Sequence, residues 1–146
     1  MKRILAIDYG LKRIGVAASD PTQTIAGGLT TLSINEIFTF LEEYSKKNPV
    51  EKFVIGLPKQ MNGTDSEIVP HIRKFAERLK NHFPETEIVF FDERFTSVLA
   101  QRAMREGGLR QKSRRNKGLI DKISATIILE DFLSNKNFNI SIAYNS

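Results

Sequence analysis

The chain has no cysteine and no tryptophan, and only two histidines among its 146 residues. Without cysteine it has neither a disulfide framework nor a thiolate metal site. His71 and His82 are too few for a multi-histidine zinc site. No apolar run approaches the ~18 residues that span a bilayer, and the first one ends at Asp8, too early for a signal peptide. These absences favour a soluble protein of the cytoplasm that does not enter a membrane.

Two common nucleotide-binding loops are also missing. There is no Gly-x-x-x-x-Gly-Lys-Ser/Thr run, which excludes a P-loop, and the glycines at 10 and 15 do not form a dinucleotide fingerprint. The aromatic residues are mostly phenylalanines at core spacings, so a stacking platform for single strands is not evident.

The remaining composition is that of an ordinary globular protein, with 40% hydrophobic and 27% charged residues. A chain of 146 residues can bury a full hydrophobic core in one domain. We therefore predict a single domain over residues 1–146 whose tail, 134–146, is flexible. Within that tail, Ile140-Ser141-Ile142 alternates like a short edge strand.

Apolar runs and helical spacings predict the element order β-β-β-α-β-α-β-α-α. The short gap between the first two strands suits a hairpin, so strand two is expected to run antiparallel to strand one. Long apolar strands separated by amphipathic helices indicate a largely parallel sheet with helices on both faces. The predicted strands are 3–8, 14–19, 25–32, 52–57 and 87–91, and the predicted helices follow Ser33, follow Thr64, run from Thr96 or Ser97 to Arg105, and cover 119–133.

Carboxylates stand at the ends of buried elements. Asp8 ends strand one and Asp92-Glu93 end the last parallel strand, so both should lie at the same rim of the sheet. Asp121 begins the buried stripe of the final helix. Clustered carboxylates repel each other, and Mg²⁺ or Mn²⁺ relieves that repulsion because hard cations prefer oxygen ligands. The sequence therefore predicts a divalent-metal site suited to phosphodiester hydrolysis.

Each of these acids also has a purely structural interpretation. Asp8 could cap the turn before Gly10, and Asp121 could be a first-turn acid stabilised by the helix dipole. Asp92-Glu93-Arg94 could form a structural ion pair.

The net charge of +5 is concentrated in one stretch. Residues 101–122 hold eight basic and two acidic side chains, which leaves +6 there and about neutrality elsewhere. Such a patch favours a polyanion, although a solvated loop is the alternative. Basic residues near the rim or in this stretch are the predicted phosphate contacts: Lys12, Arg13, Lys59, Arg94, Arg110, Lys112, Arg114, Arg115 and Lys117.

Four motifs resemble those of the YqgF/RuvX family, in the family's order and over residues 1–134. They are Asp-Tyr-Gly-Leu-Lys-Arg-Ile-Gly-Val-Ala from Asp8, Gly-Leu-Pro-Lys-Gln-Met-Asn-Gly-Thr from Gly56, Asp-Glu-Arg-Phe-Thr-Ser from Asp92, and Asp-Lys-Ile-Ser-Ala from Asp121. Proteins of this family are described as Holliday junction resolvases and as pre-16S rRNA nucleases.

The resemblance implies an RNase H-like fold: a mixed five-stranded sheet in the order 3-2-1-4-5, with strand two antiparallel. It also implies metal-dependent nuclease chemistry with Asp8, Glu93 and Asp121 as catalytic, metal-binding acids. Asp92 is the alternative ligand, since strand alternation should direct only one of the pair into the site. The related RuvC resolvases have an acid at the end of the fourth strand, where this chain has Gly56-Leu57-Pro58.

These observations lead to the hypothesis of an endonuclease for structured RNA, expected to process the 5′ end of precursor 16S rRNA, with precursor ribosomal particles as partners. A DNA junction resolvase with the same site is one rival, and a non-catalytic ribosome-assembly factor is the other. A monomer or weak homodimer is expected, and a resolvase would need the two-fold dimer.

Overall fold

The computed structural model describes residues 2–57, 67–92, 117–135 and 141–143, with side chains described over 2–57, 67–92 and 124–134. The expected helix start at Thr64 and the expected helix from Thr96 to Arg105 lie outside these ranges.

The described strands form one mixed sheet. Its strands are β1 (Arg3–Asp8), β2 (Ile14–Ser19), β3 (Ala26–Leu32), β4 (Val50–Leu57), β5 (Glu87–Asp92) and β6 (Ser141–Ala143), in the spatial order β3-β2-β1-β4-β5-β6. β1 is parallel to β4, and β4 to β5, whereas β2 is antiparallel to β1. The predicted order 3-2-1-4-5 is therefore confirmed. A short sixth strand adds to it at the β5 edge, one residue along from the alternating segment in the tail.

Three described helices cover the two faces of this sheet: α1 (Ile34–Lys47), α2 (Val69–His82) and α3 (Lys117–Asn135). One buried core joins α1 and α2 to side chains such as Leu5 and Ile7 of β1. A second core joins α3 to the alternate side chains Ile4 and Ala6 of the same strand. Because successive side chains of a strand point to opposite faces, the two cores show which face each strand residue occupies.

Helix starts follow from local chemistry. Glu36 accepts hydrogen bonds from the Ser33 amide at 3.0 Å and the Ser33 hydroxyl at 2.8 Å, as the Ser-x-x-Glu sequence predicts. Pro70 occupies the first turn of α2, where its missing N–H costs no helical hydrogen bond. The proline therefore sets a late helix start at Val69 rather than a kink. Among the described residues, no helix is both long and apolar enough to cross a membrane.

Candidate active site

Asp8 is the last residue of β1 and lies half-buried at the carboxyl edge of the sheet. The residues on either side of it, Ile7 and Tyr9, both pack into the core of α1 and α2. The Tyr9 ring packs in a tilted arrangement against Phe75 of α2, with 5.1 Å between the ring centroids. Strand alternation therefore directs the Asp8 carboxylate to the opposite face, which α3 covers.

Glycines flank Asp8 on both neighbouring strands. Gly15 of β2 pairs with Asp8 in the antiparallel register. On the other side, Ile7 pairs with Ile55, so Gly56 is the next residue of β4 beside Asp8. Gly56 belongs to the α3 face because Val54 packs into that core. Asp8 is thus bordered by two positions without side chains, which we call the glycine trough (Gly15, Asp8 and Gly56).

Asp92 ends β5 at the same edge but on the other face. It pairs with Leu57, and both Leu57 and Phe90 pack into the core of α1 and α2. Phe91 packs into the core of α3, so Asp92 faces away from α3. Its side chain is buried, with 2% of its surface exposed. Asp92 therefore does not share a face with Asp8. Glu93 lies outside the described residues.

Helix α3 runs antiparallel to β1 across the sheet. Its last turns line a cavity with Gln23 to Ala26, and Gln23 donates a hydrogen bond at 2.9 Å to the Lys2 carbonyl, beside the start of β1. The Lys52 ammonium lies over the Phe132 ring, 5.8 Å from the ring centroid. Lys52 in turn pairs with Ile4 of β1, so Phe132 lies near the start of that strand.

The rise per residue of a helix and of a strand shows where the start of α3 lies relative to Asp8. A helix rises ~1.5 Å per residue, so Ser124 and Asp121 lie about 12 and 16 Å from Phe132 toward the helix start. A strand covers about 12 Å in three to four residues, which is the span from Ile4 to the level of Asp8. The backbone of Asp121 therefore lies near the carboxyl edge that carries Asp8.

The turn after Asp8 holds Lys12, which is exposed, and Arg13, which is half-buried. A Cβ atom at Gly10 would lie 2.5 Å from the Arg13 carbonyl oxygen, so only glycine fits this turn. The turn thus brings two basic residues within a few positions of the Asp8 carboxylate.

Part of the predicted site falls outside what the structure describes. That part comprises Glu93, the side chain of Asp121, and the basic residues Lys59, Arg94, Arg110, Lys112, Arg114, Arg115 and Lys117 (Lys117 by its side chain). Over the described side chains alone, no three acidic or imidazole groups gather into a metal site. Gly15 and Ser124 do not stand out in the sequence. The sequence signal that could have identified Gly15 is its place opposite Asp8 in the predicted hairpin. The signal for Ser124 is its position three residues after Asp121 in the final helix.

Solved structures share this fold. The chain resembles RuvC of Thermus thermophilus in complex with a Holliday junction substrate, with a TM-score of 0.56 and 14% identity over 99% of this chain and 100% of that one. A fowlpox virus resolvase bound to Holliday junction DNA gives a TM-score of 0.51 and 13% identity, covering 92% of this chain and 98% of that one. The sheet, its helices and these neighbours define an RNase H-like fold, as predicted.

The sequence comparison then identifies the family. The model described as RuvX, Holliday junction resolvase, matches residues 2–135, and the chain belongs to the RuvX family. A Bacteroides thetaiotaomicron relative is 54% identical over 94% of this chain and 100% of its own length. A Flavobacterium johnsoniae relative is 51% identical with the same coverage. Both carry the curated name "Putative pre-16S rRNA nuclease". The protein is accordingly a nuclease, an enzyme whose substrate is nucleic acid.

Proposed function

We propose that this protein is a divalent-metal-dependent endonuclease of the cytoplasm, with Asp8 at the centre of its active site. The observation that carries the proposal is the position of Asp8. It is a carboxylate at the carboxyl end of a central parallel strand, on the face covered by α3, with glycines on both sides. The carboxyl edge is also where ligands bind in such sheets.

Asp8, Glu93 and Asp121 are the proposed metal ligands. Asp8 has room for a ligand because Gly15 and Gly56 place no side chain beside it. Asp92 is unsuited because it lies on the face of α1 and α2. Glu93, the residue after it, would return to the face of Asp8 if the extended backbone continued. Its carboxylate would approach across Gly56, about two strand spacings or roughly 10 Å from β1.

A bound Mg²⁺ or Mn²⁺ would offset the repulsion among these carboxylates and supply positive charge beside the scissile phosphate. The chain's own residues do the rest. The carboxylates would hold the cation at the carboxyl edge of the sheet. Lys12 and Arg13, in the turn after Asp8, bind the phosphates that flank the scissile one, and the basic stretch from Arg110 to Lys117 extends that contact along the backbone.

The proposed substrate is structured RNA, in particular the 5′ end of precursor 16S rRNA. The names of relatives about half identical over their whole length support this choice. Precursor ribosomal particles would then be the partners. The second candidate is a branched DNA junction, favoured by the description of the family model and by the two DNA-bound neighbours.

The first prediction concerns Asp8→Asn. This change keeps the shape of the side chain and removes its charge, so we expect cleavage of a precursor-rRNA leader in Mn²⁺ to fall at least about 100-fold, roughly 2.7 kcal/mol in the barrier. Binding of the leader should persist. Glu43→Gln, an exposed acid on α1, is the matched control and should cleave normally. Full activity of Asp8→Asn would refute the proposed site.

A paired assay separates the two substrates. The wild-type protein is given the precursor-rRNA leader and a four-way DNA junction under identical salt and metal. Preferred cutting of the leader supports the RNA assignment. Symmetric resolution of the junction by a two-fold dimer supports the resolvase. Binding of either substrate without metal-dependent cutting would indicate a non-catalytic factor.

A further inference from the structure

Ser124 carries a buried hydroxyl that no described residue satisfies. The residue is 1% exposed, and its Oγ has no hydrogen-bond partner among the described residues. A serine within a helix commonly returns its hydroxyl to the carbonyl three or four residues earlier, but Ser124 does not. A buried hydroxyl without a partner costs free energy that alanine at the same position would avoid.

The position of Ser124 relates this hydroxyl to the candidate site. It lies three residues after Asp121, so both occupy the same face of α3. The residues around it on that face, Ala125 and Ile128, are fully buried against the sheet. The helix rise places Ser124 about level with Asp8. The strands beneath α3 include β1 and β2, which carry Asp8 and Gly15.

Two independent features therefore lie at about the same level of the sheet, on the face that α3 covers. The glycine trough places no side chain beside the Asp8 carboxylate, and the helix above it contributes a hydroxyl that has no partner among the described residues. Such hydroxyls in native proteins call for an explanation, and a catalytic role or a bound water or ion that completes the hydrogen bond is among the known ones. Groups that hydrogen-bond to the ligands of a metal ion orient those ligands and tighten metal binding.

We propose that Ser124 is a positioning residue of the active site, and that its hydroxyl donates a hydrogen bond to an oxygen ligand of the divalent cation held at Asp8. This inference rests on the proposed metal site. It adds a neutral hydroxyl donor from α3 to the three proposed carboxylate ligands.

The test measures Mn²⁺ binding and thermal unfolding of the full chain for Ser124→Ala. We expect the Kd for Mn²⁺ to rise about 10-fold, while the Tm of the metal-free protein stays unchanged or rises slightly. Ser124→Cys, which fills the same space with a poor donor, should weaken Mn²⁺ in the same way. Ser134→Ala makes the same change on an exposed residue of α3 and should alter neither quantity.

Two results would overturn the inference. One is an unchanged Kd for Mn²⁺ in Ser124→Ala. The other is a fall of several degrees in the metal-free Tm, which would mean that the protein itself satisfies the hydroxyl. Asp8→Asn, measured in parallel, distinguishes the two failures. Loss of Mn²⁺ binding in Asp8→Asn alone removes the role of Ser124 and keeps the site, whereas retained binding in both variants removes the metal site as well.

Discussion

Asp8 and Asp92 each end a parallel strand at the same edge, but their carboxylates leave the sheet on opposite faces. The difference arises because the two acids stand at positions of opposite parity along their strands. Ile7 and Phe90 both pack against α1 and α2, and Asp8 follows Ile7 directly, whereas Asp92 follows Phe90 by two residues. Because strand side chains alternate with a period of two, the position along the strand decides which acid can bind the same metal ion as Asp8.

Glu93→Gln and Asp92→Asn should therefore have different effects. We expect Glu93→Gln to weaken Mn²⁺ binding at least about 10-fold with little change in Tm. Asp92→Asn should leave Mn²⁺ affinity within about two-fold but destabilise the fold by about 1–3 kcal/mol, because this carboxylate is buried. Calorimetric titration and thermal unfolding of both variants provide the comparison. The reverse outcome would make Asp92 the ligand.

The turn after Asp8 leaves no room for a side chain at Gly10. A side chain there would meet the Arg13 carbonyl oxygen, a backbone atom, at 2.5 Å. Gly10→Ala should shift the turn and destabilise the protein by about 1–3 kcal/mol, and cleavage should fall because Lys12 and Arg13 move. Gly27→Ala is the control, since nothing lies within 4 Å of its Cβ position. Chemical denaturation measures both, and equal stabilities would contradict the steric argument.

At the scale of elements, the connection between β2 and β3 is organised by one carboxylate. Asp20 accepts hydrogen bonds from the amides of Thr24 and Ile25, both at 2.8 Å, and from the amide and hydroxyl of Thr22. These donors hold the pKa of Asp20 well below its usual range, with the Thr22 hydroxyl the largest cause. The pKa of Glu36 is lowered in the same way by the Ser33 amide and hydroxyl.

Acid should therefore loosen this connection. A carboxyl whose folded pKa is depressed contributes stability that is complete above its unfolded pKa, about 4, and is lost as the pH falls below it. Asp20→Asn removes the titrating group, so we expect a shallower loss of Tm between about pH 5 and 2 than in the wild type. Glu43→Gln, which neutralises an exposed acid of α1, serves as the reference. Parallel pH profiles in wild type and Asp20→Asn would exclude this role.

Most of the element order could be predicted from the sequence because β1, β2, β4 and β5 are compact apolar runs and α1 begins with a capping box. The apolar runs do not reveal strand order, and that came from resemblance to a family. The face of Asp8 could not be read from its own strand, since Ile4 to Ile7 are apolar on both sides. It follows only from where α1, α2 and α3 pack. Ser124 was missed for the same reason, because burial of its hydroxyl depends on the sheet beneath α3.

At the scale of the whole molecule, the most basic stretch of the sequence leads directly into α3, the helix that covers the face of Asp8. The stretch from 101 to 122 carries a net charge of +6 and the whole chain +5, so the rest of the chain is close to neutral. Its end overlaps the start of α3, the helix above Asp8. Helices α1 and α2 cover the opposite face and carry exposed lysines of their own, such as Lys46, Lys47 and Lys74. These lysines offer a comparison in which the charge removed is equal and only its place differs.

The last prediction uses this comparison. Replacing Lys12, Arg114 and Arg115 by alanine should remove about three phosphate contacts. Each contact contributes ~0.9 to the slope of log K against log salt on duplex and ~0.7 on single strands. Binding of the precursor-rRNA leader to inactive Asp8→Asn, measured over a salt series, should therefore lose about 2–3 units of slope. Replacing Lys46, Lys47 and Lys74 by alanine lowers the net charge by the same amount. This change should leave the slope within about 0.5 of the wild-type value, because salt largely screens exposed charges that lie more than a Debye length, ~8 Å, from the bound phosphates. Equal slopes in the two triple variants would mean that net charge, rather than a located phosphate track beside Asp8, governs binding.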